Sequence, residues 1–210
     1  MINADYSYAQ SELLNRDIPD YKYSCSVYLI YLGLNKKVPG AAHHSLFFSS
    51  DLNKNLNDIF DTGEMPQDPS FYLHVPTATD SSLAPEAKEI FYILVPVANL
   101  KKAKEDVSSY EKNIRSMVFG KINKAFGINL EELIEVEHKF YPRDFIDRYN
   151  IKFGATFGLA HNLTQSAFFR PPNVSRGLKN IYFTGASTQP GGGLPVVIAS
   201  SRIVADLIKR

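Results

Sequence analysis

The sequence predicts an α+β fold, in which a mixed or antiparallel sheet packs with helices and a strand, loop and helix end the chain. Aromatic and β-branched runs that are typical of strands dominate the first half. A long stretch with apolar residues at helical spacing follows. Three consecutive glycines then separate a short apolar run from a last helical segment. With 210 residues, of which 44% are hydrophobic, the chain is long enough to bury a core.

Four segments before residue 141 predict strands. Residues 21–32 are rich in aromatic and β-branched side chains and stop at Gly33. Residues 71–76 and 89–97 are separated by a polar stretch that contains proline, so we expect them to be antiparallel neighbours with a long connection. Residues 133–140 form a further strand-like segment.

Residues 101–126 predict the longest helix. Gly127 stands where a C-terminal cap belongs, and 144–149 predict a short amphipathic turn. The apolar residues that recur at helical intervals in the long helix are Val107, Tyr110, Ile114, Met117 or Val118, and Ile122.

The last forty residues predict a buried strand (181–186), a glycine-rich turn (187–193) and a helix with Pro195 in its first turn. Without Cβ atoms the turn can approach a ligand closely and offer free N–H groups beside the positive end of the helix dipole. A tight strand-to-helix connection explains the glycines equally well. The segment is not a Walker loop, because no Lys-Ser/Thr pair follows, and it is not GxGxxG.

Composition excludes several classes of protein. The formal net charge of +1 gives no electrostatic footprint for nucleic acid. The single cysteine, Cys25, fits a reducing cytoplasm, and no apolar run approaches the roughly 18 to 20 residues that span a bilayer. The 14 Phe and 12 Tyr residues predict a core, and the same side chains would suit a cavity for a long apolar ligand.

The string NLTQSAFFRPPNVSRGLKNIYFTGASTQPGGGLPVVIASSRIVADLI resembles the C-terminal signature of bacterial carotenoid desaturases. INADY, SCSVYLIYLGL, HHSLFFSSD, IFDTGEMPQDPSFYLHVPTATDSSLAPEAKEIFYILVPV, YPRDFIDRYN and KFGATFGLAHNLTQ are similar to that family in the same order. The likeness covers nearly the whole chain and identifies it with the phytoene desaturase family of the FAD-dependent amine-oxidase-like superfamily. NVSRGLKNIYFTGAST is most similar to the 4,4′-diapophytoene (dehydrosqualene) desaturase branch.

The resemblance implies an oxidoreductase that acts on CH–CH groups and dehydrogenates 4,4′-diapophytoene or a phytoene-like polyene in carotenoid biosynthesis, with FAD as cofactor. A carotenoid terminal-methyl oxidase or isomerase of the same family is an alternative. A non-catalytic remnant or binding domain without redox activity is another.

The resemblance also implies flavin-site residues. Gly185 and Ala186 would end a strand beside the ribityl and pyrophosphate groups of FAD. Ala186 stands where the wider superfamily often has an acidic residue, and Gln189 stands where many relatives have histidine. The residues that would pass the isoalloxazine ring are Thr188, Gly193, Leu194, Pro195 and Val196. No catalytic residue is assigned.

Other polar residues have two interpretations. Arg170 either anchors a buried loop, which we favour, or touches the cofactor. His43 and His44 lack metal-ligand spacing, so we interpret them as structural and predict no metal site. His161 and Gln165, four residues apart, either share a helical face toward a substrate tunnel or form a satisfied core pair.

The resemblance further implies three regions: 1–15 at the edge of an FAD domain, 16–150 as a substrate-binding domain, and 151–210 as the last FAD-domain segment. The fold would then be a fragment of an α/β FAD-binding oxidoreductase. Family members open with a βαβ unit that this sequence lacks, so we expect weak or absent FAD binding by the chain alone and allow for a separate N-terminal chain. A polyene substrate implies a cytoplasmic protein peripheral to the membrane.

Overall fold

In the computed structural model, which describes residues 4–175 and 178–209, the chain divides into two compact units. We call Val27–Pro142 the sheet unit. Met1–Ser26 together with Arg143–Arg210 form the glycine-loop unit. The functional domain limits at residues 15 and 150 stay a prediction.

A five-stranded sheet with the order β2-β3-β4-β1-β5 organises the sheet unit. The pairs β2–β3, β3–β4 and β1–β5 are antiparallel, which confirms the expected pairing of segments 71–76 and 89–97. Together with the helices the sheet confirms the α+β class. The strands are β1 (Ser26–Leu34), β2 (His44–Phe47), β3 (Phe71–His74), β4 (Glu89–Val97) and β5 (Ile134–Phe140).

The helices are α1 (Tyr6–Tyr8), α2 (Leu52–Asn57), α3 (Val107–Phe126), α4 (Leu130–Leu133), α5 (Pro142–Tyr149) and α6 (Leu194–Ile208). Short 3-10 turns cover Pro76–Ala78, Ser81–Leu83, Lys152–Gly154, Leu163–Gln165 and Ala167–Phe169. Wider π-helical turns, Ala9–Leu13 and Asp58–Thr62, extend α1 and α2. None of the helices in the described ranges is long and apolar enough to cross a membrane.

Helix α3 begins later than predicted. Asp106 caps it by accepting a 3.0 Å hydrogen bond from the Ser108 N–H, so the chain from residue 101 to 105 stays outside the helix. Its end is as predicted, because Gly127 takes up a left-handed conformation with φ of 64°.

The core lies between α3 and one face of the sheet. Alternate residues of β4 are fully buried, among them Phe91, Ile93 and Val95. They meet the face of α3 that the helical spacing predicts, where Ile114 and Val118 are 0% exposed. Each such side chain stabilises the fold by about 1.5–3 kcal/mol when it is removed from water.

The predicted strand over 181–186 is wrong. In the described part of the chain only Tyr182 forms a bridge, to Val174, and the segment is half-buried apart from an exposed Thr184. Among the described residues two backbone bonds join it to 173–175: Phe183 N donates to Asn173 O (2.8 Å) and Ser175 N donates to Ile181 O (3.0 Å). Two prolines immediately precede Asn173 and have no N–H to extend the pairing.

Candidate functional site

A cavity of about 290 Å³ lies in the glycine-loop unit. Segment 183–188, which leads into the glycine loop, forms one side of it. Asp5, Tyr6, Thr156 and Gly158 contribute to the other sides. The cavity therefore gathers residues from both ends of the sequence, because the unit itself is built from both ends.

Asp5 fixes the N-terminal wall of this cavity. Its carboxylate caps α1 by accepting a hydrogen bond from Tyr8 N (2.7 Å) and also accepts one from Lys152 N (2.9 Å). Burial raises the pKa of Asp5 above its usual value, against the lowering effect of these hydrogen bonds. The adjacent Tyr6 ring meets Phe183 edge-on, with ring centroids 4.9 Å apart.

Gly185, Ala186 and Thr188 lie together at the cavity. A Cβ added at Gly185 would have no atom within 4 Å, so the glycine leaves open space beside the chain. Thr188 is buried, and its hydroxyl donates to Gly185 O at 3.2 Å. That bond closes a tight turn whose backbone borders the cavity.

Arg170 supports this turn from behind. The side chain is only 2% exposed, and its guanidinium donates to Ala186 O, with Nε at 2.9 Å. Further bonds of 3.0 Å reach Leu159 O and Gln165 O. Burial lowers the pKa of Arg170. These bonds to peptide carbonyls confirm the interpretation of Arg170 as the anchor of a buried loop.

The glycine loop itself packs against His161. Gly192 N donates to His161 Nε2 at 2.8 Å, and a Cβ on Gly192 would lie 2.7 Å from His161 Cε1. The close approach expected of the glycines is real, but at Gly192 the partner is a histidine of the same unit. The expectation of a free N–H is therefore wrong at this residue. Burial, and then the charge of Arg170, lower the pKa of His161.

His161 and Gln165 do not share a helical face, which corrects that part of the prediction. Gln165 ends a three-residue 3-10 turn that begins after His161. Its side-chain amide pairs with the backbone of Lys22, accepting from N and donating to O at 2.8 Å each. For Gln165 this is the satisfied core arrangement. A contact of either residue with substrate stays a prediction.

The start of α6 is open to solvent. Gly193 has φ of 105°, a conformation that side chains rarely tolerate, and Leu194 is 78% exposed. Pro195 is exposed and Val196 half-buried. Within residues 4–175 and 178–209 no side chain caps this helix. Its first-turn amides and the positive end of its dipole therefore face outward.

Asn173 belongs to the site, although no role was predicted for it from the sequence. Its Nδ2 lies 2.9 Å from Gln189 O and 3.0 Å from both Phe183 O and Ser200 Oγ. Ser200, fully buried in α6, in turn accepts from Gly185 N at 3.3 Å. The Asn-x-Ser part of the C-terminal signature was the available signal, but no local pattern shows that its partners lie on three different segments.

Comparison with known proteins gives a family for this arrangement. Residues 53–209 match the family of flavin containing amine oxidoreductases. The chain is 38% identical over 98% of its length to a 4,4′-diapophytoene desaturase (4,4′-diaponeurosporene-forming) of Staphylococcus haemolyticus (strain JCSC1435). It is 39% identical over 98% of its length to the zeta-carotene-forming phytoene desaturase of Myxococcus xanthus. A 4,4′-diapophytoene desaturase of Staphylococcus aureus (strain Newman) is 40% identical over 90% of the chain.

The chain spans 44%, 41% and 38% of the lengths of these three relatives, respectively. The matched residues begin inside α2 and continue past the end of α6. They include segment 183–188, the glycine loop and the helix that follows it. A family defined by a flavin implies a flavin cofactor. On this evidence the chain belongs to the flavin containing amine oxidoreductases.

Proposed function

We propose that this chain forms part of an FAD-dependent carotenoid desaturase that dehydrogenates 4,4′-diapophytoene or a phytoene-like polyene. The observation that carries the proposal is the cavity bordered by segment 183–188, whose backbone continues through a glycine loop into the open start of α6. The names of the relatives supply the substrate class. In this assignment 1–15 and 151–210 are FAD-domain segments, and 16–150 form the substrate-binding domain.

The residues present fit a flavin in two respects. Gly185 leaves room for a ligand beside the backbone, and the start of α6 offers N–H groups and a positive dipole end. When bound, a flavin supplies a two-electron acceptor for C–H dehydrogenation. Gly185, Ala186 and Thr188 would flank its ribityl side, and Gly193 to Val196 would lie along its ring.

The residues of this chain would act through position and exclusion of water. An allylic C–H bond offers no polar group to grip, so orientation of the polyene against the flavin matters more than an acid/base pair. Amides at the start of α6 would stabilise negative charge on the reduced ring edge. His161 and Gln165 remain candidates for the substrate side.

We also propose peripheral membrane contact by a cytoplasmic protein, because a polyene is stored in the bilayer. Large apolar side chains stand out from the glycine-loop unit: Phe168 is 93% exposed and Leu163 is 91% exposed. Phe169, which follows Phe168 in sequence, is 73% exposed. Such groups gain free energy on entering the acyl boundary of a membrane.

The function is tested by incubating the product of the complete gene with FAD and 4,4′-diapophytoene in phospholipid vesicles, with oxygen or a quinone present to reoxidise the flavin after each two-electron step. A desaturase lengthens the conjugated system, so new absorption bands appear at longer wavelength and product mass falls by two hydrogens per step. An isomerase leaves the mass unchanged, and a terminal-methyl oxidase adds oxygen. Either of those outcomes, or no turnover, contradicts the proposal.

The cavity is tested by Ala186→Leu in the product of the complete gene, because we expect weak or absent FAD binding by this chain alone. The larger side chain takes space from the flavin, and we expect an affinity loss of at least about tenfold, the equivalent of about 1.4 kcal/mol. Flavin fluorescence during titration measures it. The matched control is Ala125→Leu on the exposed surface of α3, which should bind as the wild type does. If Ala186→Leu and the wild type bind flavin with equal affinity, the assignment of flavin to this cavity is contradicted.

A further inference from the structure

Three imidazole rings meet at one edge of the sheet unit. His44 opens the edge strand β2 and pairs directly with His74 at the end of β3. His43 immediately precedes β2. One ring nitrogen from each of the three lies within 4.8 Å of the others. The cluster is separate from the cavity described above, all of whose lining residues belong to the glycine-loop unit.

The nitrogen spacing is close to that of a metal site. His43 Nε2 and His74 Nε2 are 2.9 Å apart. With zinc–nitrogen distances of about 2.0–2.1 Å, tetrahedral ligands lie about 3.3 Å from one another. The two nitrogens of His43 and His74 are therefore already near ligand spacing, and the ligand atoms of all three histidines lie within 4.8 Å of one another.

The second nitrogen of two rings is already held by a hydroxyl group. His44 Nδ1 lies 2.6 Å from Tyr72 Oη, and His43 Nδ1 is hydrogen-bonded to Thr79 Oγ1. Histidines that bind metals usually make such a bond through the ring nitrogen that is not a ligand, because it fixes the tautomer and the ring orientation. In both residues it leaves Nε2 as the ligand atom.

The surrounding loops hold the rings in place. The buried Glu89 carboxylate accepts hydrogen bonds from Thr77 Oγ1 and from Val38 N (3.1 Å). These contacts tie the turn that carries Thr79 and the loop that leads to His43 to the start of β4. The exposed His44 leaves the cluster open to water on one side.

We propose that His43, His44 and His74 bind a divalent transition-metal ion of the Zn²⁺ type, with the remaining coordination position open to solvent. Three imidazoles suit Zn²⁺, Co²⁺, Ni²⁺ or Cu²⁺, whereas Mg²⁺ and Ca²⁺ require oxygen ligands. The ion links the edge strand β2 to β3. The prediction of no metal site from the sequence considered only the adjacent pair, whereas the strand register brings His74 to it.

The test is calorimetric titration of the chelator-treated chain with Zn²⁺. We expect one ion per chain, and we expect His44→Gln and His74→Gln each to weaken binding by at least about tenfold. Tyr72→Phe, which removes a hydroxyl partner but no ligand, should weaken it by about tenfold. The matched control is His138→Gln on β5, at the opposite edge of the sheet, which should bind as the wild type does.

Co²⁺ gives a readout that needs no variant. Bound by three imidazoles, it should show visible absorption of four- or five-coordinate cobalt that Zn²⁺ displaces. Circular dichroism of the metal-free variants separates lost ligands from lost folding. The proposal is overturned if wild-type chain binds no Zn²⁺ stoichiometrically, if folded His44→Gln and His74→Gln bind as tightly as wild type, or if cobalt keeps its octahedral hexa-aqua spectrum.

Discussion

Arg170 holds a guanidinium group where several peptide carbonyl groups converge behind the cavity wall. Arg170→Lys keeps the charge but loses the fork of five donors that fits this arrangement, so buried carbonyls lose partners. We expect the local opening free energy of the glycine loop to fall by about 1–3 kcal/mol. Hydrogen exchange measures it, with exposed Arg202→Lys in α6 as the control. Equal protection in both variants would contradict the anchoring role.

His161 makes the glycine loop sensitive to pH. Its pKa lies below the value of an unfolded histidine, so the unfolded chain binds the proton first as pH falls. The hydrogen bond from Gly192 to neutral His161 therefore stabilises the folded loop fully above about pH 6.5. This stabilisation is lost as the pH falls below that value, because a proton on Nε2 displaces the Gly192 N–H. We expect amide hydrogens in 187–193 to exchange faster at about pH 5.5 than at about pH 7.5, after the rates are corrected for the pH dependence of intrinsic exchange. His161→Gln should lack this added dependence; an unchanged pH profile in the variant would refute it.

For single residues, the role of a side chain could be predicted from the sequence only where its own chemistry allows few kinds of partner. A buried arginine beside proline has to find acceptors, and Arg170 does. His74 could not be paired with His43 from sequence, because that contact depends on the register of two strands. The partners of Asn173 were equally hidden.

Helix α3 buries one face against the sheet. Ile114→Ala would leave a cavity between α3 and the sheet, where Ile114 is fully buried. We expect a loss of about 2–5 kcal/mol in unfolding free energy. Urea titration followed by far-UV circular dichroism measures it. Lys112→Ala, on the exposed face of the same helix, should change stability by less than about 0.5 kcal/mol, and a comparable loss there would contradict the core assignment.

Elements with strong periodicity could be predicted, and those that depend on distant partners could not. The spacing of apolar residues in α3 and their alternation over the nine residues of β4 each predict which face is buried. Segment 181–186 has the apolar composition of a strand, but among the residues that the structure describes only Tyr182 makes a β-bridge there. The start of α3 was misplaced because Asp106, a cap, lies inside a polar run without periodicity.

The two most exposed large apolar side chains of the described residues, Phe168 and Leu163, lie on short 3-10 turns, and vesicle binding tests their role. Removing one buried large side chain from a membrane contact costs about 1.5–3 kcal/mol, or roughly tenfold or more in partitioning. We expect Leu163→Ser and Phe168→Ser to lower cosedimentation with phosphatidylcholine vesicles to this extent. Leu83→Ser, at 52% exposure in the sheet unit, should leave it unchanged. Equal loss in all three would point to nonspecific adhesion.

For the molecule as a whole, sequence predicted the class and the family because both rest on long ordered patterns. The two ends of the chain share the glycine-loop unit. Composition and periodicity could not predict this, because it requires contacts between distant segments, and only the family resemblance implied that both ends belong to one domain.

The Asn173 amide links three places: the segment that enters the cavity wall, the loop that leaves it, and the middle of α6. We expect a displacement at any one of them to shift the other two, because they share the same amide. Spectroscopic probes far along α6, well away from the cavity, should sense what fills it.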